Sequence, residues 1–272
     1  DVRRMLLWQK AVTEGLRAML YAIAHYADMA KGAKAAGDTA TAEKYSGWVE
    51  LLTPICKAYG SDMGTRCCDL AVQVLGGYGY CQEYPAEQYL RDARIASIYE
   101  GTNGIQALDL VGRKLGLKGG SVMMGFLKEL AGWATKYKAH PAIGKLVQRL
   151  EEGSRVLGEL TMKFGSIAAQ GDIVYPALNA YAFLESFGDV ITAYFLLQEA
   201  VIADAELQKL YKEANATTVQ QKKALLQDNP EARFYHGKLM AAQFFCNSVL
   251  PMVKARAEAI KSGDRSAMEV EF

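Results

Sequence analysis

Apolar residues recur at helical spacing along almost the whole of this 272-residue chain, and no stretch alternates apolar and polar side chains as a half-buried strand would. The pattern predicts an all-α protein. A first helix is expected over residues 2–31, with Leu16, Met19, Leu20, Ile23 and Tyr26 on one stripe. The small and charged residues 32–39 then form a linker. A second helix covers 40–75, where Pro54 is tolerable only as a kink or break near the first turns, and Gly76-Gly77 ends it. Residues 85–95 make a short helix and 102–115 a fourth. In the latter, Ile105, Leu108 and Leu115 mark one apolar face, with Val111 and Gly112 beside it and an Asp109–Arg113 pair outside. Four helices on short connections read as an antiparallel four-helix bundle.

The glycine-rich run Gly116-Leu117-Lys118-Gly119-Gly120 is the domain boundary, dividing the chain into residues 1–116 and 117–272. A second helical bundle is expected beyond it, with helices over 121–138, 141–170, 174–215 and 230–261 and a polar connection, helical at most briefly, over 216–229. The 174–215 helix carries Tyr181, Phe183, Leu184, Phe187, Ile191, Tyr194, Phe195 and Leu197 around most of its circumference. Such a helix is buried between several partners. The last five residues, Met268 to Phe272, are expected to fray or to pack on a partner.

The charge balance, 31 basic against 30 acidic residues, offers no basic patch for nucleic acid. The five cysteines, Cys56, Cys67, Cys68, Cys81 and Cys246, have no Cys-x-x-Cys spacing. Neither a disulfide framework nor a metal site is expected from them, and reduced thiols in a cytoplasmic protein are. No signal peptide opens the chain. The most apolar stretch, 179–203, is interrupted by Glu185, Asp189 and Glu199 and does not read as a membrane span. His25, His140 and His236 stand apart without metal-like spacing.

Candidate chemistry concentrates in Ile98-Tyr99-Glu100-Gly101-Thr102-Asn103-Gly104-Ile105-Gln106. Thr102 is an N-cap candidate, which puts Glu100 just outside a helix N-terminus. There it can complement the helix dipole. Flanked by Ile98 and Tyr99 and open on its glycine side, it can also be a partly desolvated general base. Upstream, Gly76-Gly77-Tyr78-Gly79 permits either a helix C-cap with a tight turn or close backbone approach to a ligand. Arg91, Asp92 and Arg94 fit a solvated structural face, with Glu87–Arg91 as an i,i+4 pair.

Four motifs fall in register: Gln73-Val74-Leu75-Gly76-Gly77-Tyr78-Gly79, Tyr84-Pro85, Arg91-Asp92-Ala93-Arg94-Ile95 and Tyr99-Glu100-Gly101-Thr102 with Ile105-Gln106. In this order and spacing they resemble the C-terminal helical domain of the acyl-CoA dehydrogenases, which are flavoenzymes. The match covers about residues 1–116. Residues 117–272 resemble, in helical texture and position, the extension of the larger bacterial members, among them 3-methylmercaptopropionyl-CoA dehydrogenases.

The resemblance implies α,β-desaturation of an acyl-CoA thioester, with FAD as cofactor and electron-transferring flavoprotein as acceptor. It implies Glu100 as catalytic base, Gly101 at the substrate, and Gln73, Gly76, Gly77, Thr102 and Gly104 at the flavin, the glycine turn meeting the flavin of a neighbouring subunit. A homo-oligomer, dimer or tetramer, follows. So does a chain that begins inside a longer protein, with flavin-covering domains upstream. Many relatives have a polar side chain at position 104; a glycine there leaves the adenine contact to Thr102 and backbone groups. Two other readings stay open: a non-catalytic relative kept for binding, and a helical module for assembly, which suits residues 117–272 better than the first half.

Overall fold

The alanine-rich end of the first helix carries it further than its apolar stripe suggests. The computed structural model describes residues 1–271, and in it α1 (Val2–Ala35) runs through Gly32, leaving only Ala36 to Asp38 as linker. The turn closes on Gly37 at φ 78°, and Asp38 caps the next helix by accepting from the Thr41 amide at 3.0 Å. Helix α2 (Thr39–Leu75) continues unbroken through Pro54, against the expectation of a break near its start. The lost hydrogen bond, worth about 3 kcal/mol in an isolated helix, is offset by a helix clamped in the core. Leu51, Leu52, Ile55, Ala58 and Tyr59 beside the proline are all 1% exposed or less.

One-turn helix α3 (Gly77–Tyr80), α4 (Ala86–Arg94) and a 3-10 turn over Ile95–Ser97 lead to α5 (Asn103–Asp109), which opens into a π turn over Leu110–Lys114. Here the expected apolar face is corrected. Of that face Leu115 is buried as expected, but Ile105 and Leu108 are exposed, and the buried stripe is Asn103, Ala107, Leu110 and Lys114. Two polar residues occupy inward positions because α2 supplies their partners, Glu50 pairing with the Lys114 ammonium at 3.3 Å.

Lys118, Gly119 and Gly120 are successively left-handed at the expected boundary. Then follow α6 (Ser121–Tyr137), α7 (Gly144–Ala169), α8 (Val174–Leu178), α9 (Ala180–Glu213), α10 (Val219–Asp228), α11 (Pro230–Ser248), α12 (Met252–Lys261) and α13 (Ser266–Glu269). Three expected helices change. The 141–170 helix starts three residues late, because His140 to Ile143 form a turn held by the Ala142 amide on His140 Nδ1 at 3.3 Å. The 174–215 helix is interrupted at Asn179, whose amide donates to Tyr175 O at 3.0 Å. The 230–261 helix is divided by Pro251, whose ring cannot continue the ladder. The polar connection contains α10, opened by a Thr218–Gln221 capping box. Of the chain end, Met268 and Val270 are exposed and Phe272 lies outside the described residues.

Among the described residues there is no strand, and the fold is all-α. Helix α9 is its axle, with Phe183, Leu184, Phe187, Val190, Ile191 and Leu197 fully buried. It packs on α1, α2 and α5 from the first half and on α7, α11 and α12 from the second. One contiguous apolar cluster therefore runs from Trp8 to Ile260.

A charged knot lies inside this junction. The Asp189 carboxylate, 0% exposed, accepts from Tyr59 OH of α2 and from Arg256 Nη1 of α12, each at 2.6 Å. Burial pushes its pKa up to about 6, while Arg256 and Tyr59 pull the other way and hold it ionised at neutral pH. Gly188 makes room for the knot, since a Cβ there would lie 2.2 Å from the Tyr59 ring.

Candidate active site

Residues 98–106 form a turn whose two ends are fixed and whose centre is open. Before it, Ser97 is buried and its hydroxyl donates to Arg94 O at 3.0 Å, with the Arg94 guanidinium on the same hydroxyl. After it, Thr102 is the expected N-cap of α5, its Oγ1 accepting from the Ile105 amide at 3.3 Å. Between them Glu100 and Gly101 are both left-handed, at φ 56° and 84°. Glycine takes this conformation freely, whereas a glutamate does so at a cost of about 1–2 kcal/mol. The Gly101 position is also crowded, because a Cβ would meet Gln106 Nε2 at 3.0 Å. The result is a carboxylate-bearing residue turned out of the chain path at a helix N-terminus.

Glu100 is exposed, so the desolvation expected from Ile98 and Tyr99 is not supplied within this chain. Both neighbours are themselves half exposed, Ile98 at 50% and Tyr99 at 53%, and Ile105 joins them at 54%. The carboxylate thus sits in an apolar surround that faces outward. A cleft of about 870 Å³ between α2 and α6, lined by Lys44, Trp48, Lys128 and Trp133, lies elsewhere on the molecule.

The glycine turn is built differently. Gly76 ends α2 at φ 62°, and Gly79 packs so closely that a Cβ would lie 2.5 Å from Val72 O. Gly76 and Gly77, by contrast, have open space where a side chain would be, and Gln73 beside them is exposed. Gly104 is similarly open apart from Thr102 Oγ1 at 3.8 Å. The two turns are not brought together. Asn103 is anchored on α2 at Ala58 to Asp62, and the glycine turn begins fourteen residues later, about 20 Å along a helix axis. Arg91 pairs with Glu87 at 2.8 Å and Arg113 with Asp109 at 2.7 Å, both solvated, as the spacing predicts. His140 faces Asp204 at 3.8 Å, and among the described residues no cluster of His, Cys, Asp and Glu is arranged to hold a metal.

Sequence reasoning missed Asn103. It is 3% exposed, with its Nδ2 within reach of Ala58 O at 3.1 Å, Ser61 Oγ at 2.9 Å and Asp62 Oδ1 at 2.8 Å. Its Oδ1 accepts from Lys57 Nζ at 2.8 Å. The polar set Lys57, Ser61 and Asp62 on one side of α2 was the available signal, because a helix packed on that side needs a polar residue to answer it.

Comparison with known proteins decides the family. The profile described as "Acyl-CoA dehydrogenase, C-terminal domain" matches residues 1–115, and "Acetyl-CoA dehydrogenase C-terminal like" matches 126–271. The chain belongs to the acyl-CoA dehydrogenase family. It is 33% identical over 99% of its length to a butyryl-CoA dehydrogenase of Syntrophomonas wolfei, covering 41% of that protein. To the 3-methylmercaptopropionyl-CoA dehydrogenase of Ruegeria pomeroyi it is 32% identical over 92% of its length, covering 39% of that protein. The chain thus spans about two-fifths of these relatives. A Bacillus anthracis acyl-CoA dehydrogenase solved with FAD shares the fold at a TM-score of 0.63 and 17% identity, over 98% of this chain and 43% of that one. No helix among the described residues is long and apolar enough to cross a membrane.

Proposed function

We propose that this acyl-CoA dehydrogenase chain is the C-terminal part of a flavin-dependent enzyme that α,β-desaturates an acyl-CoA thioester, with Glu100 as the base. The observation that carries this is the turn itself. Glu100 is held in an unfavourable left-handed conformation, anchored on both sides, and exposed among apolar side chains. Such a site is costly to keep for helix capping, which Thr102 already performs. A substrate closing over Ile98, Tyr99 and Ile105 would expel water and strengthen the carboxylate as a base.

In this reading Glu100 takes the proton from the carbon next to the thioester carbonyl, and Gly101 leaves room for that group. FAD, when bound, would supply the acceptor for the β-hydride, with electron-transferring flavoprotein as the partner that reoxidises the enzyme. The residues present fit such a cofactor. The open faces of Gly76 and Gly77, with exposed Gln73, would receive one flavin, and Thr102 with open Gly104 another part of the same site or its copy. The spacing between the two turns suits contacts to two different flavins of a homo-oligomer. Ordinary and sulfur-bearing acyl chains are both compatible with what this chain contributes.

The test is Glu100→Gln in the full-length enzyme, which keeps size and much of the hydrogen bonding. FAD and acyl-CoA binding should survive while flavin reduction slows at least ~10²-fold. Stopped-flow reduction at the wild-type rate would return Glu100 to a structural role.

A further inference from the structure

The turn that carries Glu100 is tied to the C-terminal half through a short polar chain. Asn103, one residue beyond the N-cap, is fixed on α2 by Asp62 Oδ1 at 2.8 Å, with Ser61 and Ala58 beside it. The second oxygen of Asp62 accepts from the phenol of Tyr181, in the first turn of α9. Tyr181 is 38% exposed, unlike the ring stack further along the same helix, so its position owes little to apolar burial. Beyond Asp62, Lys57 holds the Asn103 carbonyl at 2.8 Å, which fixes the amide in one orientation. Asn103 can then rotate only if Asp62 moves, and Asp62 is braced from the other side by α9.

We propose that Asp62, Asn103 and Tyr181 are positioning residues through which helix α9 of the extension sets the register of the Glu100 turn. This rests on the reading of Glu100 as the base, and it assigns the extension a part in the reaction besides packing. The turn needs such a brace. Two consecutive left-handed residues have no helical hydrogen bond of their own, and the nearest support, Gln106 Nε2 to Glu100 O, is long at 3.5 Å. A base displaced by a fraction of an ångström from a carbon-bound proton loses rate without losing substrate affinity.

The experiment is made in the holoenzyme carrying this chain. Tyr181→Phe removes one donor from a partly exposed site and leaves the fold intact. It should slow flavin reduction about 5-fold with KM unchanged, in the range expected for coupling through a support network. Asp62→Ala removes both acceptors and should slow it about 30-fold, whereas Asp62→Asn, which can still accept from Asn103 and meet the phenol, should stay within about 2-fold of wild type. Amide exchange of residues 98–106 should quicken in Tyr181→Phe and Asp62→Ala while the thermal midpoint of Tyr181→Phe stays at the wild-type value.

In a Glu100→Gln background Tyr181→Phe should cause no further slowing, as expected for groups acting as one unit. Wild-type exchange at 98–106 in both variants, or a loss in Asp62→Asn equal to that in Asp62→Ala, overturns the proposal. A normal rate in Glu100→Gln alone would instead overturn the assignment of the base, and the exchange measurement would still decide whether α9 holds the turn.

Discussion

Replacing Arg256 by methionine should destabilise the protein by an amount that depends on pH in a specific way. The substitution keeps an unbranched stem while removing the guanidinium 2.6 Å from the fully buried Asp189 carboxylate. In the wild type, burial raises the Asp189 pKa to about 6, above the ordinary carboxylate range. The folded state therefore holds its proton more tightly than the unfolded state. The contribution of this group to stability is greatest in acid, falls as pH rises to about 6, and is flat above that.

Without Arg256 the folded-state value moves further up, because the positive charge and hydrogen bond that opposed burial are gone and only Tyr59 remains. Below pH 6 both proteins fold with Asp189 protonated, so the loss is the missing hydrogen bond together with the part-exposed Arg256–Glu185 pair at 3.2 Å, about 1 kcal/mol. Above pH 6 the variant alone must still carry the proton, and the loss grows by about 1.4 kcal/mol per pH unit. At pH 8 it should reach about 3–4 kcal/mol, in the range for breaking a buried ion pair from one side.

Urea unfolding followed by circular dichroism at pH 5 and pH 8 measures this directly. With an m-value of about 3 kcal/mol/M, the midpoint should fall by roughly 0.3 M at pH 5 and roughly 1 M at pH 8. Surface carboxylates held low by their own partners, such as Glu152 by Lys254, are common to both proteins and cancel. An equal loss at the two pH values would refute the reasoning, since it would show that Asp189 does not change its protonation in response to Arg256.

Gly188→Ala should cost about 2–3 kcal/mol, because the new methyl would stand 2.2 Å from the Tyr59 ring in a rigid junction; a thermal midpoint unchanged from wild type would show that Tyr59 can yield. The 272-residue chain expressed alone should purify colourless, because the candidate flavin residues Gln73, Gly76, Gly77 and Gly104 are all exposed, at two separate turns. Stoichiometric bound flavin in that preparation, read from its visible spectrum, would contradict it.

The helical architecture was legible because α1, α2, α7 and α9 are long enough for periodicity to average over local exceptions. Boundaries failed where one residue outweighs a pattern. Pro54 reads locally as a break, yet the helix is clamped on both sides of it; Pro251 sits in an equally helical context and does end a helix. The face of α5 was misread for a related reason. Periodicity counts apolar side chains, and here Asn103 and Lys114 point inward to polar partners on α2 while Ile105 and Leu108 point outward. That inversion is in keeping with the proposed site, since outward apolar residues near Glu100 are what a surface awaiting substrate or another domain presents. The motifs located Glu100 and Thr102 in sequence. The supports at Asp62 and Tyr181 were not legible, because they lie 41 and 78 residues away from Asn103 and Asp62 alone links Tyr181 to it. The Asp189 knot was hidden likewise, its three groups distributed over three helices.

The backbone at Glu100 allows the structural cost of the site to be measured apart from its chemistry. Among the described residues, three non-glycine residues have positive φ: Glu100, Lys118 and Asn215. Asn215 closes α9, where the Ala216 amide bonds to Tyr211 O at 2.8 Å, and asparagine is well suited to that conformation. Lys118 stands in the glycine-rich linker with its ammonium on Glu43 at 2.6 Å. Glu100 has no comparable compensation. Its side chain makes no hydrogen bond within the described residues, so the left-handed backbone is a net cost of about 1 kcal/mol. Glu100→Ala and Glu100→Gly both remove the carboxylate, and only the second relieves the backbone. Glycine should therefore be the more stable of the two by about 1 kcal/mol, the reverse of their order inside a helix. Urea midpoints of the two variants give the comparison without reference to activity. If alanine proved equal to glycine or better, the turn would be unstrained and residue 100 would need no function to explain its conformation. The expected order, with activity lost in both, would mean that the chain holds a glutamate where glycine is the more stable choice.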